Sequence, residues 1–198
     1  MLTVTAFVLA GGKSARMGSD KAFLELGGTS LLARSLDLAR AVTSDVRIVG
    51  DPEKFAAFGQ VVPDIYPGRG PLGGIHAALS TSTTDWNLII GVDLPFVELR
   101  FLQYLIAEAR SADFVVTLPS AGGHLHPLCA VYRKTFLRLT ERALAEGRNK
   151  LDALFSEIPV RVIREEELLA AGFDASIFRN LNTLDDWEQA KQQLAERH

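Results

Sequence analysis

Apolar positions along the chain fall into two alternating periods. Short β-branched and aromatic runs read as strands, and segments with apolar residues three and four apart read as helices. "VTAFVLA" near the start predicts a buried strand. "SLLARSLDLARAV" then carries Leu31, Leu32, Leu36, Leu38 and Ala39 mostly on one helical face. "VRIVG", Val46 to Gly50, predicts a second strand. "PEKFAAF" predicts a helix opened by proline, whose missing N–H is tolerated there. "QVVPD" predicts a short strand ending at Pro63, and "GGIHAALSTS" a helix opened by glycines. "WNLIIGVD" is the strongest strand signal, apolar on both faces as a central parallel strand would be. "LRFLQYLIAEARS" predicts an amphipathic helix and "DFVVTL" the strand after it.

Strand and helix alternating in this way predict an α/β fold: a three-layer αβα, Rossmann-like, mostly parallel sheet with helices on both faces. The alternation loosens after about Pro119. "HPLCAVYR" and "PVRVIR" predict strands there, and "KTFLRLTERALAEG" and "NKLDALFSE" predict helices. A polar helix from Leu184 to Glu196 ends the chain. We read residues 1–198 as one α/β domain with an inserted or appended lobe in its second half.

Composition narrows the function classes. A formal net charge of −3 over 198 residues argues against a nucleic-acid binder, which carries a basic face. It leaves room for an anionic small ligand, because a local cluster can oppose the global sign. Lys13, Arg16 and Lys21 form such a cluster, with Asp20 as the nearby acid. The single cysteine, Cys129, allows no disulfide within the chain, which fits a reducing compartment. No apolar run reaches membrane-spanning length, and the N-terminus lacks the features of a signal peptide. The expectation is a cytoplasmic protein with neither nucleic-acid nor membrane partners.

The cationic cluster lies in "LAGGKSARMGSDK", Leu9 to Lys21, directly after the first strand. Ligands of open parallel sheets bind at the carboxyl ends of strands. Gly11 and Gly12 permit close backbone approach and an N–H nest for an anion. Lys13, Arg16 and Lys21 suit phosphate oxygens, Arg16 with its planar fork. An ordinary strand-to-loop turn is the plain alternative. Two familiar phosphate motifs are excluded by spacing. From Gly12 the next glycine is Gly18, followed by Ser19 and Asp20, so there is no Walker loop. Gly11 and Gly12 are adjacent with no glycine two beyond either, so there is no dinucleotide fingerprint.

Four further stretches carry candidate chemistry. "WNLIIGVD" delivers Asp93 to a strand's carboxyl end ahead of Leu94, Pro95 and Phe96. A carboxylate there suits Mg²⁺, with water and triphosphate oxygens filling the other octahedral positions. It equally suits an Asx turn or a cap ahead of the helix at Leu99. "PDIYPGRGPLGGIHAAL" places Asp64 before a glycine-rich helix entry, where free N–H groups can meet an anion or a base edge. It also reads as a flexible loop with Pro67 and Pro71 as turn residues. "GGHLHPLCAVYR" holds His124, His126 and Cys129 without an ordinary zinc spacing, and Cys129 reads as strand packing. "FRNLNTLDDWEQA" offers Asn180 and Asn182, with Asn182 or Thr183 as a cap of the last helix.

Taken in order, these elements resemble the molybdenum cofactor guanylyltransferases of the nucleotidyltransferase superfamily. The glycine stretch meets every fixed position of the family pattern L-A-G-G-x-S-x-R-M-G-x-D-K. "VDLPF" is similar to its C-D-x-P-F/Y element, with Val92 in place of cysteine. The Asp64 loop is similar to D-x₄₋₆-G-P-L-A-G-I, with a second glycine in the Gly73-Gly74 pair in place of alanine. Pro127 to Tyr132 match P-L-x-A-L/V-Y, and Phe178 to Thr183 resemble F-x-N-x-N-T. "EGRNKLDAL" resembles the G-x-R-x-L/V region, which makes Arg148 and Lys150 candidates for the acceptor phosphate beside a plain solvated reading. The family's asparagine after the second strand is not met: that region reads "VGDPEKF", with Gly50 and Asp51.

The resemblance implies transfer of GMP from GTP to the terminal phosphate of Mo-molybdopterin, with release of pyrophosphate. It implies Mg²⁺ on Asp93, catalytic roles for Arg16, Lys21 and Asp93, and GTP contacts at Leu9, Ala10, Gly11, Gly12, Lys21, Asp64 and Asp93. His126, Asn180 and Asn182, with His124, are weaker candidates for the acceptor. Residues 1–118 would form the nucleotide half and 119–198 the acceptor half. Among protein partners it leaves room for transient contact with molybdenum-insertion or molybdoenzyme proteins. The glycine pair in Leu9-Ala10-Gly11-Gly12, where related cytidylyltransferases carry L-A-A-G, favours GTP over CTP. A cytidylyltransferase, a sugar-phosphate nucleotidyltransferase and a non-enzymatic nucleotide-binding regulator are the rival readings.

Overall fold

The protein is described by a computed structural model covering residues 3–11, 20–181 and 184–195. Its first strand, β1 (Val4–Leu9), is followed by a hairpin of β2 (Glu25–Leu26) and β3 (Thr29–Ser30), then α1 (Leu31–Val42). The chain continues through β4 (Val46–Val49), α2 (Pro52–Phe55), β5 (Gln60–Val62), α3 (Pro71–Thr81) and β6 (Trp86–Gly91). Next come α4 (Leu99–Arg110), β7 (Val116–Ala121), β8 (His124–Leu125), β9 (Cys129–Arg133), α5 (Leu137–Ala145) and α6 (Leu151–Phe155). β10 (Val160–Ile163), α7 (Glu165–Ala170) and α8 (Leu184–Ala195) follow.

The main sheet runs in the order β10-β7-β9-β6-β1-β4-β5, with β8 paired to β7. β1 is parallel to β4 and β6, β4 to β5, and β7 to β10. β9 is antiparallel to both of its neighbours, β6 and β7. Strand side chains alternate between two cores, as a period of two requires. Val4, Ala6 and Val8 of β1 and Leu88 and Ile90 of β6 pack with α1 and α4. Phe7, Leu9 and Ile89 pack on the other face, with α3, α5 and α6. Three layers, αβα, result.

Local chemistry sets the helix starts. Ser30 Oγ accepts from the N–H of Ala33 at 3.2 Å and begins α1; such caps contribute about 1 kcal/mol. Asp51 accepts from Glu53 N at 3.0 Å, and Pro52 then opens α2. α4 buries Phe101, Leu102, Leu105, Ile106 and Ala109, the face its spacing predicts. Lys134 Nζ donates to the carbonyls of Leu79 and Ser82 at the end of α3, where a cation suits the exposed C=O groups.

The strict βα alternation breaks at a tight reversal rather than a helix. After β7 the chain turns through Gly122 (φ 59°) and Gly123 (φ 77°) into β8. β9 therefore returns antiparallel, with no crossover helix to reverse it. The β2–β3 hairpin and α7 are also absent from the periodicity reading. The hairpin is short, and its signal is Gly27-Gly28, both at positive φ as a two-residue hairpin turn demands.

Candidate active site

β1, β4, β5 and β6 are mutually parallel, so their carboxyl ends share one edge of the sheet. The chain steps outward from β1 to β4 and β5, then returns to β6 on the other side of β1. That reversal makes the carboxyl ends of β1 and β6 the switch point of the sheet, the place where ligands of open α/β sheets bind. Ala10 N and Gly11 N both donate to Val49 O, at 3.0 and 3.1 Å. The Gly11 N–H is thus engaged inside the protein, and the nest geometry considered for it is not formed at that atom. A Cβ on Gly11 would meet only Gly50 Cα at 3.7 Å and Val49 O at 3.8 Å, ordinary contacts. The protein itself has room for alanine there. Gly50 is different: a Cβ would lie 2.7 Å from the Phe55 ring, which fixes α2 beneath the end of β4.

Asp93 follows the end of β6 and is half-buried. Its carboxylate folds back on the strand: a Cβ on Gly91 would stand 2.9 Å from Asp93 Oδ1 and 3.2 Å from Leu128 Cβ. Gly91 N donates to Leu128 O at 2.7 Å, and Val92 N to Leu9 O at 3.2 Å, so the backbone around Asp93 is held by strands on both sides. The cap of α4 is Glu98, so Asp93 does not serve as the helix cap considered for it. Val92 is buried, which explains why valine serves where the family pattern has cysteine.

Asp64 stands at the end of β5, three strands from Asp93 in the order β6-β1-β4-β5, a span of about 14 Å at the usual strand spacing. Its Oδ1 accepts from Tyr66 N at 2.9 Å. The loop lies on the first turn of α3, and glycine makes that possible: a Cβ on Gly73 would sit 2.9 Å from Tyr66 O and 3.1 Å from Asp64 Oδ1. Gly74 accommodates Leu9, whose Cδ2 would be 3.0 Å from a Cβ there. His76, 5% exposed, lies behind this loop with Tyr66 set edge-on at 5.0 Å, and its Nδ1 is buried without a partner. Burial holds the imidazole below its ordinary pKa, against the opposing pull of Glu141 and Asp64.

Of the cationic cluster, Lys21 is described, on a 3-10 turn, Lys21–Phe23, capped by Asp20. Gly12, Lys13, Arg16 and Asn182 lie outside the described residues. Asp20 also pairs with Lys54 of α2 at 2.9 Å.

The second half of the chain closes over Asp93. Tyr132, fully buried, donates its hydroxyl to Pro127 O at 2.9 Å and so fixes the strand start that carries Leu128. His126 stacks on Phe178 at 4.7 Å, with its Nε2–H on Ala121 O at 3.2 Å. Burial lowers the His126 pKa, and His124 adds to the fall. Leu181 N donates to Asp93 O at 3.3 Å, which brings exposed Asn180 to the same edge. Cys129 is fully buried in β9 and burial pushes its thiol up to about 12, as a packed residue rather than a ligand. Arg148 is held by Glu146 and Glu157, each at 2.7 Å, in a surface network. Among the described residues no three of His, Cys, Asp and Glu gather as a metal cluster. No described helix is long and apolar enough to cross a membrane.

Gly91, Leu128, Tyr132 and Phe178 pack or hydrogen-bond around this edge, a part that the sequence patterns did not assign to them. Their roles depend on long-range contacts, although the fixed Pro127–Tyr132 pattern was a signal for two of them.

Known proteins match this arrangement. A MobA-like NTP transferase domain matches residues 6–184. A probable molybdenum cofactor guanylyltransferase from Pelotomaculum thermopropionicum is 36% identical over 96% of this chain and 93% of its own length. The molybdenum cofactor guanylyltransferase of Desulfosudis oleivorans is 34% identical over 96% of each chain. The crystal structure of molybdopterin-guanine dinucleotide biosynthesis protein A from Archaeoglobus fulgidus superposes with a TM-score of 0.85 at 26% identity, covering 97% of this chain and 99% of that one. The switch point at β1 and β6, the fold around it and these relatives agree: the chain is a nucleotidyltransferase and belongs to the molybdenum cofactor guanylyltransferase family, with its MobA-like NTP transferase domain.

Proposed function

We propose that the protein transfers GMP from GTP to Mo-molybdopterin, releasing pyrophosphate, in the cytoplasm. The observation that carries the reading is the single edge on which Gly11, Asp64 and Asp93 stand, flanked by Leu128 and Asn180 from the second half. Nucleotide and acceptor can meet there on opposite sides of Asp93.

Asp64 suits the guanine nucleotide, because a carboxylate accepts from N–H donors such as those on the base edge. Leu9, Ala10, Gly11 and Gly12 give the backbone floor, and Gly11 keeps the space above it open. Arg16 and Lys21 oppose the charge of the triphosphate. His126, Asn180 and Asn182 contact the acceptor.

Asp93 would hold Mg²⁺. Its half-buried carboxylate offers hard oxygen donors, and one carboxylate with water and phosphate oxygens is a usual Mg²⁺ set. When bound, Mg²⁺ supplies charge neutralisation to phosphate oxygens. The acceptor phosphate is already an anion, so the site needs no strong general base. The protein's task is to bring two polyanions together and align them, by positioning and fixed charge.

The test is pyrophosphate release with GTP and Mo-molybdopterin for wild type and Asp93→Ala. We expect the variant to fold and to lose turnover by a factor on the order of 10³. Near-normal turnover would remove Asp93 from the mechanism.

A further inference from the structure

The ion pair between Lys54 and Asp20 joins α2 to the turn that begins at Lys21. Asp20 works with both oxygens. Oδ1 caps the 3-10 turn through Ala22 N at 3.2 Å, and Oδ2 accepts from Lys54 Nζ at 2.9 Å. The turn that follows carries Lys21, and Ala22 anchors it with 0% exposure. Its far end is held as well: the Phe23 ring lies 5.6 Å from Phe55 and 5.8 Å from Phe58. α2 offers a rigid base for both contacts, because Phe55 is buried against Gly50. Asp20 in turn holds the Lys54 ammonium above its ordinary pKa, by hydrogen bond first and charge second.

We infer that Lys54 is a positioning residue for the nucleotide: by holding Asp20 it sets where Lys21 stands. The inference rests on Lys21 being a phosphate contact. An exposed ion pair contributes little to fold stability. The consequence of breaking this one therefore falls on what the turn carries, and small misplacements of a charge at a reacting centre are costly.

Steady-state pyrophosphate release on the full chain, with thermal midpoints, tests it. Lys54→Met raises KM for GTP and lowers kcat/KM for GTP on the order of tenfold. It leaves KM for the acceptor and the thermal midpoint unchanged. Lys54→Arg restores the GTP parameters. Asp20→Asn reproduces the defect, and Asp20→Asn with Lys54→Met is no worse than Asp20→Asn alone, as one shared contact requires. Lys54→Met within twofold of wild type, alongside an impaired Lys21→Ala, overturns the inference. So does a double variant whose losses multiply, because Lys54 would then act on the nucleotide independently. If Lys21→Ala is itself unimpaired, the phosphate reading of Lys21 fails and this inference falls with it.

Discussion

Two glycines at the edge of the sheet do opposite work. Gly91 is required by the protein, since a Cβ there would stand 2.9 Å from Asp93 Oδ1. Gly91→Ala should push the carboxylate off its seat at a cost of about 1–3 kcal/mol. Activity should fall with the thermal midpoint. Gly11 is not required by the protein, because its Cβ would make only ordinary contacts. Gly11→Ala should leave the thermal midpoint unchanged and weaken GTP binding, which calorimetric titration would measure. Equal loss of stability in both variants would remove this distinction. Asp93 was legible in the sequence from its place after an apolar strand. Gly91 was not, because its role depends on a carboxylate two residues ahead folding back.

At the scale of elements, α3 and the turn between β8 and β9 are the parts that hold the site's loops, and each contains a histidine, buried His76 and half-buried His126. His76 and His126 both have lowered folded pKa values, with burial as the first cause. The unfolded chain therefore binds more protons than the native state just below the ordinary histidine pKa. Their contribution to stability is complete above about pH 6.5 and is lost as pH falls toward the lowered folded values. Thermal midpoints should drop between pH 7 and pH 5, and His76→Gln should flatten that slope. An unchanged slope would place the acid sensitivity elsewhere. Before Pro119, β1, β4, β5 and β6 with helices α1, α3 and α4 followed from period, because they belong to βα units. The antiparallel direction of β9, the β2–β3 hairpin and α7 did not. They are set by glycine turns and by pairing across distant segments, and short elements carry too few residues to show a period.

Across the whole molecule, the site is assembled from both halves of one sheet. In the proposed site, β1, β4, β5 and β6 bring the nucleotide residues, while the turn before β9 and the segment before α8 bring Leu128, His126 and Asn180 to the same edge. Asp64 and Asp93 were readable as candidates, but their separation by three strands was not, since strand order is a product of folding topology. Such a site should be stabilised by its nucleotide. GTP with Mg²⁺ at a hundred times its Kd would add about 2.7 kcal/mol, or roughly 5–10 °C for a domain of this size. CTP, ATP and UTP should add less, and Asp64→Ala should erase the preference.

The central claim is the reaction itself. Pyrophosphate release should be measured with Mo-molybdopterin and either GTP or CTP, in parallel. Rapid release with GTP, little with CTP, and none without the acceptor is the predicted result. Faster release with CTP, or nucleotide binding with no release from either, would contradict it.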